Sequence, residues 1–408
     1  MRILIISQYF WPESFRINDL AGALKEKGYE VTVLTGMPNY PAGKVYEGYT
    51  WWAKGRDDMA GIPIVRVPLF ARRESKSWQL VMNYLSFAIS GCIFGSWMLR
   101  EKSFDIVFTF EVSPVTVGIP ANFIAKQKSA KHFFWVQDLW PETLAATGAV
   151  QSATALSLVG TMVRWIYRGC DRILLQSKSF VQPVLSVGAE DHKLHYFPNW
   201  AEALYQPVVL SDDAVERKEV PYSGFIVMFA GNLGAAQSLD SMVEAAERLK
   251  AEDIHWVMLG DGRRRAWLES EVKARGLDKM HVLGSRAMET MPAYFSLADV
   301  MLVTLKDDPV MSTTIPGKVQ SYLACGRPVI GALQGAGADV IRESGAGYAV
   351  APDDVDALVK AVRKLSELSE SERQKMGQAA RAYYERYFDR DMLISQLESW
   401  MQDDCGMK

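Results

Sequence analysis

Short apolar runs alternate with amphipathic stretches along most of the chain. Arg2–Ser7 reads as a buried strand. Arg16–Lys27 follows as a helix with Ile17, Leu20, Ala21 and Leu24 on one stripe. Gly28 closes that helix and Glu30–Thr35 is the next strand. Ile64–Pro68, Asp105–Phe110, His132–Val136, Asp171–Gln176 and Leu194–Phe197 supply further strands. Apolar strands of this kind, separated by helices, predict a parallel sheet buried on both faces. The same programme restarts at Gly224, with strands at Phe225–Ala230, His255–Leu259, His281–Leu283, Val300–Thr304, Pro328–Gly331 and Gly347–Val350. Helices are expected between them at Leu239–Lys250, Arg264–Arg275, Glu289–Leu297 and Gly317–Ala324. The tail Ser369–Met401 reads as helical, striped by Met376, Ala379, Ala380, Tyr383, Tyr387, Leu393 and Leu397.

Two doubly wound α/β domains follow: 1–201, a polar linker 202–223 with Pro207 and Pro221, 224–388, and a terminal helix and tail 389–408. Ligands of such domains are expected in a cleft at the carboxyl ends of the strands. One segment complicates this picture. Trp78–Leu99 carries no charge, with Arg72, Arg73 and Lys76 before it and Arg100 and Lys102 after it. Its length allows a membrane span. Gln79, Asn83, Ser86, Ser90, Gly91, Gly95 and Ser96 dilute it, which also allows a core helix, or a helix lying in a bilayer interface.

The composition excludes disorder, collagen and a disulfide scaffold: 408 residues are 49% apolar and 23% charged. Net charge is −3, unevenly placed. Residues 1–200 carry 21 Lys/Arg against 16 Asp/Glu, and the remainder 24 against 32. No strongly basic domain argues for nucleic acid. A basic first half fits an anionic surface. The four cysteines lie far apart, without metal-ligand spacing, and fit a reduced, cytoplasmic chain.

Candidate chemistry gathers after the strands. Gly231-Asn232-Leu233-Gly234, Gly260-Asp261-Gly262 and Gly284-Ser285-Arg286 each follow one, where a turn entering a helix offers backbone N–H groups to an anion. Pro316 and Gly317 open a helix with Lys318 in its first turn, followed by Val319 and Ser321. A cation there opposes the helix dipole, and a bound diphosphate would supply the reason. Arg286 and Lys306 follow neighbouring strands and could complete a cationic clamp. In the first half, Asp138 and Glu142 flank Trp140-Pro141 after a strand, and Glu111 ends another. One carboxylate could orient an acceptor hydroxyl and another hold a sugar hydroxyl. Asn39 and Tyr40, on a loop bounded by Pro38 and Pro41, could touch acceptor or donor, and are taken with Glu111 and Trp140 as candidate acceptor contacts. Asp354-Val355-Asp356 and Asp389-Arg390-Asp391 have the letters of a metal motif, but stand where Asp caps helices. No metal and no cofactor is expected. The five histidines reveal no Ser or Cys partner, so a hydrolase triad has no support.

The glycine turns, Pro316-Gly317-Lys318 and Ala324-Cys325-Gly326-Arg327-Pro328-Val329 together resemble the retaining nucleotide-sugar glycosyltransferases of family 4. In the first half, Gln8-Tyr9-Phe10-Trp11-Pro12-Glu13, the stretch Leu34–Gly43 and Asp138-Leu139-Trp140-Pro141-Glu142 resemble its bacterial polysaccharide branch. That branch includes L-fucosamine and related transferases of O-antigen and capsule assembly. The resemblance implies a GT-B fold: two Rossmann-like domains facing a cleft, the donor on the second and the acceptor on the first, with C-terminal helices returning to the first. It also implies transfer with retention from a nucleoside diphosphate sugar, UDP being the candidate nucleotide and an N-acetylated deoxyhexosamine a candidate sugar. The donor phosphate would help accept the proton. The acceptor would be a lipid-linked saccharide at the inner face of the cytoplasmic membrane, with the enzyme attached peripherally. This chain departs from the family where two glutamates eight positions apart are usual: Thr313 and Ser321 stand there. Where many members carry a lysine after the glycine turn, Gln237 is nearest. A nucleotide-sugar 2-epimerase of the same architecture and a non-catalytic nucleotide-sugar binding protein are the alternatives.

Overall fold

The computed structural model describes residues 1–50, 52, 55–72, 77–146, 150 and 152–406, without the side chains of Arg56 and Ser77. Packing divides the chain into two units, Met1–Pro198 with Asp391–Lys408, and Asn199–Arg390. The first is built on an eight-stranded sheet: β1 (Arg2–Ile6), β2 (Glu30–Thr35), β3 (Gly55–Met59), β4 (Ile62–Arg66), β5 (Ile106–Glu111), β6 (Lys131–Val136), β7 (Arg172–Leu175) and β8 (Leu194–Tyr196). Their order is β3-β4-β2-β1-β5-β6-β7-β8. All neighbours are parallel except the edge hairpin β3/β4. The residues Gly-Arg-Asp-Asp-Met of β3 have no apolar pattern, so hydrophobic periodicity missed them. Ala60 and Gly61 make the hairpin turn with φ of 51° and 80°.

The second unit holds six parallel strands: β9 (Phe225–Ala230), β10 (Ile254–Leu259), β11 (Met280–Gly284), β12 (Val300–Thr304), β13 (Val329–Ala332) and β14 (Gly347–Val350), ordered β11-β10-β9-β12-β13-β14. The chain therefore reverses its direction of winding between β1 and β5 in one sheet and between β9 and β12 in the other. Loops leaving these strand pairs splay apart, which is where doubly wound sheets hold ligands. Apolar side chains on both faces of each sheet form the cores, with Trp135 and Trp256 fully buried.

The tail differs from one continuous helix. It is Glu370–Tyr387 and Arg390–Asp404, broken after Phe388. The first part packs Ala380, Tyr384 and Phe388 into the second unit. The last helix returns to the first unit. There Glu398 accepts from Tyr29 at 2.9 Å, and Asp404 pairs with both Nε and Nη2 of Arg172, at 2.7 and 2.9 Å. The segment 202–223, expected as a linker, packs as part of the second unit. It forms a short helix at Val215–Glu219, whose Glu219 pairs with Arg286.

The uncharged run is one helical rod: Ser77–Ser90, a π-turn at Gly91–Gly95, then Ser96–Met98. Gly91 sits against Pro120 and Gly95 against Leu34, so closely that a Cβ at either would lie 2.9 Å from its neighbour. One face is core, with Asn83, Phe87, Ala88 and Leu99 buried. The other is exposed along its length at Trp78, Val81, Met82, Leu85, Ile89, Ile93 and Trp97. Arg73 and Lys76 lie outside the described residues.

Candidate functional site

On the first unit the loops after β1, β2, β5 and β6 form one polar rim. Its organiser is Glu13, which sequence reading passed over except as a letter in a motif. Glu13 is 2% exposed. Its Oε1 accepts the backbone N–H groups of Asn39 and Tyr40 at 2.7 and 2.6 Å, and Oε2 accepts that of Phe10 at 3.3 Å. Burial pushes its carboxyl up to about 7, against the pull of those three amides and Arg66. Arg66, at the end of β4, pairs with Asp57 at 2.9 Å and donates to the carbonyls of Trp11 and Gly36. The two loops are thus tied by buried charge-assisted bonds.

This geometry corrects the expectation for Asn39. Its side chain is fully buried and donates to Met37 O at 2.9 Å, so it shapes the loop and does not face an acceptor. Tyr40 is 39% exposed. Its ring meets those of Tyr9 and Phe15 at 5.6 and 5.2 Å, and Tyr9 stacks on Phe15 at 5.5 Å. Arg72 lies over Tyr40 and Tyr9, 4.8 and 5.7 Å from the ring centres. Tyr9, Phe15 and Arg72 had no distinguishing spacing; only the fold brings them together.

Glu111 is the last residue of β5 and is fully buried, so it too cannot touch an acceptor. Its Oε2 accepts the N–H groups of Gln137 and Asp138, both at 3.2 Å. Burial first, and the nearby Asp138 charge second, hold its carboxyl well above the usual range. It fixes the loop that carries Asp138. Asp138 is raised by burial and lowered by a hydrogen bond to the Ser113 side chain. Trp140 is 5% exposed and packs edge-on against Tyr84 at 6.2 Å; it is core, not an exposed platform. Glu142 opens the short helix Glu142–Ala146. One histidine does have a cysteine neighbour: His132 Nδ1 is 3.6 Å from Cys170 Sγ. Both are buried, burial pushes the thiol up and the imidazole down to about 4, and His132 is bonded to Asn122 and Thr109. The pair is structural.

On the second unit a cavity of about 290 Å³ opens at the ends of β9, β10 and β11. Gly231, Asn232, Gly260, Asp261, Ser285 and Arg286 line it, so the three glycine turns do share one rim. The turns are less available than expected. The N–H of Gly231 is bonded to Leu259 O and that of Leu233 to Asp261 O. Leu233 itself is core. The turn leads into a single 3-10 turn at Ala235–Gln237, and the α-helix begins only at Leu239, so Gly234 does not open a helix.

Lys318 behaves unlike a surface lysine. It does stand in the first turn of Gly317–Ala324, with Pro316 just before the helix. Its side chain turns inward under Gly231, where a Cβ would lie 2.4 Å from Lys318 Cε. Nζ donates to Gln237 Oε1 at 2.5 Å and sits 4.1 Å from the Phe229 ring centre. No carboxylate pairs with it among the described residues. Burial lowers its ammonium to about 7. Arg286 lines the cavity, but its charge is already met by Glu219, with Nη2 at 2.7 Å, and by Tyr294. That corrects its reading as a free clamp. Lys306 is exposed at the end of β12. Val319 is core, its N–H bonded to Pro316 O, so it offers a ligand neither side chain nor amide. The Ser321 and Thr313 hydroxyls bond back to the carbonyls of Gly317 and Val310. Asp354 caps the helix Val355–Ser366 and Asp356 pairs with Arg248. Among the described residues no group of three or more His, Cys, Asp or Glu could hold a metal ion.

Residues 224–367 match the family model described as glycosyl transferases group 1, and residues 14–200 match the glycosyl transferase 4-like domain. The chain is a GT-B glycosyltransferase of the family-4 type. It is 28% identical to WcaI of Escherichia coli (strain K12), a glycosyl transferase named for colanic acid biosynthesis, over 97% of this chain and 98% of that one. WbjE of Pseudomonas aeruginosa, named as a glycosyltransferase, is 24% identical over 66% of this chain and 68% of its own. Among solved structures, Anabaena HepE in complex with UDP superposes with a TM-score of 0.73 at 14% identity, covering 99% of this chain and all of HepE. WaaG, a glycosyltransferase involved in lipopolysaccharide biosynthesis, gives 0.65 at 14%, with 99% of both chains covered. At such identities these superpositions speak to the fold. The family models and both relatives are glycosyl transferases, which decides for sugar transfer over the epimerase and binding-protein alternatives. The second-unit rim, from Gly231 to Ser321, lies wholly inside the group 1 match.

Proposed function

We propose that this glycosyltransferase moves a sugar from a UDP-sugar to a lipid-linked saccharide in bacterial surface-polysaccharide assembly, with retention at the anomeric carbon. The observation that carries the donor half is Lys318, a half-buried ammonium given a neutral amide as partner at the rim after β9 and β12. Burying a cation without a counter-charge costs free energy, and a diphosphate beside it offsets that cost. Asn232, Gly260 and Asp261 border the same cavity. The relatives and the neighbouring fold bound to UDP agree with this choice of donor and pathway class. As the bond between sugar and diphosphate breaks, its electron pair stays on the diphosphate oxygen, and Lys318 offsets the charge that develops there. Asp138, held by the buried Glu111, orients the acceptor hydroxyl, and a phosphate oxygen takes its proton.

The exposed face of the Trp78–Met98 rod supports attachment to the inner membrane surface. Trp78 and Ile93 are 57% and 59% exposed, and the row between them is apolar. Asn83 on the opposite face is fully buried, accepts from Gln8 at 2.7 Å and donates to Phe70 O at 2.6 Å. A rod anchored so along one side lies on a bilayer and does not cross it.

The test is transfer of labelled sugar from a panel of UDP-sugars to lipid-linked saccharides by the full chain. Product with retained configuration supports the reading. Turnover only with other nucleotides, or only to water-soluble acceptors, overturns it.

A further inference from the structure

Arg72 is a cation without a counter-charge among the described residues. It stands where the polar rim of the first unit meets the exposed apolar rod. Its guanidinium covers Tyr40 and Tyr9. Its Nη2 reaches Pro41 O only at 3.4 Å, and its Nε is buried with no hydrogen-bond partner. Tyrosine faces attract a guanidinium but do not neutralise it, and they leave its edge of N–H donors unsatisfied. A planar fork with free donors matches a phosphate, which can accept two parallel bonds.

The location narrows the source of that phosphate. Two residues before Arg72, Phe70 O accepts from Asn83, Phe70 N–H donates to Ser86, and the Phe70 ring meets Trp78 at 6.0 Å. Trp78 is the first residue of the exposed apolar row. Asn83 also accepts from Gln8, in the loop that carries Tyr9. The rod, the segment after β4 at Phe70 and the rim are therefore tied together by hydrogen bonds. A lipid chain running along the exposed row would bring its head group to Arg72. The sugar beyond it would reach the Phe15 and Tyr40 rings.

We propose that Arg72 binds the phosphate groups joining lipid and saccharide in the acceptor, and so selects acceptors linked through phosphate. The inference rests on the lipid-linked reading above and adds the chemistry of the linkage. The test uses the full chain with saturating UDP, which keeps the second-unit rim occupied. Farnesyl diphosphate and farnesol are compared as probes by titration calorimetry. Wild type should bind farnesyl diphosphate at least tenfold more tightly than farnesol. Arg72→Gln, which keeps a planar group over the rings without the charge, should lose that preference and leave farnesol affinity unchanged; Arg72→Lys should keep part of it. Circular dichroism checks each fold, and the farnesol reference separates lost charge from lost structure. An unchanged preference in Arg72→Gln overturns the role of Arg72 and leaves the lipid-linked reading standing. No preference in wild type overturns the proposal, while the transfer assay decides the reading separately. If Arg72→Gln weakens flotation with phosphatidylglycerol vesicles as much as farnesyl diphosphate binding, Arg72 contacts bilayer head groups generally and the acceptor assignment is wrong.

Discussion

Lys318 Nζ donates to Gln237 Oε1 across 2.5 Å, so a half-buried ammonium faces a neutral amide where a carboxylate would balance it. A donor diphosphate can use that unspent charge. Lys318→Ala should cost on the order of 2–4 kcal/mol of transition-state stabilisation, read from kcat/KM. Gln237→Glu should do something less obvious. It gives Lys318 an internal partner, which raises the melting temperature and weakens UDP binding by roughly tenfold or more, since the new carboxylate repels the diphosphate. Tighter UDP binding in Gln237→Glu would show that Lys318 does not face the phosphates.

The same burial sets a pH dependence. Free Lys318 titrates near 7 because burial penalises its charge. A diphosphate beside it favours the charged form and raises that value. Binding therefore takes up a proton in the window above 7, and UDP affinity falls as pH rises through it. Calorimetry at pH 8 in buffers of different ionisation enthalpy should register an uptake approaching one proton in wild type. Lys318→Ala should lack that component. Equal uptake in the two proteins would assign it elsewhere.

Glu13 should leave a mark on stability with the opposite sense from an ordinary surface carboxylate. Its folded value near 7 lies above the usual 4.5. The folded chain then holds a proton that the unfolded chain has lost, so this contribution is complete below about 4.5 and is lost as pH rises through 7. Relative to Glu13→Gln, which does not titrate, wild type should lose stability over that window by on the order of 3 kcal/mol. Urea unfolding of both proteins at several pH values checks this. A wild type that gains on the variant as pH rises would mean Glu13 stays ionised, held by its three amides.

Strands such as Glu30–Thr35 and Phe225–Ala230 were legible because uniform apolar runs need both sheet faces covered. The polar edge strand Gly55–Met59 was not, because an edge in water needs no such run. At the site, Lys318 was legible as a cation placed against a helix dipole. That its partner is Gln237, 81 positions away, follows only from the turn at Gly231, which has room for the lysine stem because it lacks a Cβ. Arg286 had the right position after a strand but the wrong electrostatics, since Glu219 arrives from the segment read as a linker. Glu111 stood at the end of β5 and Asn39 in the loop after β2, both on the expected rim. Their full burial turned apparent contacts into supports, and burial of a polar residue depends on neighbours distant in sequence.

The exposed rod yields the last prediction. Val81, Leu85, Ile89 and Ile93 present apolar area to solvent on a helix whose other face is locked into the fold. Burying such a row in a bilayer interface contributes about 25 cal/mol per Å² of apolar surface. Arg100, near its far end, adds about 1 kcal/mol at an anionic surface, an amount that falls with salt. The full chain should therefore float with phosphatidylglycerol vesicles at low salt and be released in part by high salt. Ile89→Glu with Ile93→Glu should abolish flotation without lowering the melting temperature, because neither side chain contributes to the core. That variant should also lose transfer to lipid-linked acceptor while keeping UDP affinity. A crossing helix would instead resist alkaline washing, and wild type that remained with membranes after such a wash would refute the interfacial geometry. Wild type indifferent to anionic vesicles at low salt would leave the apolar row to some other partner.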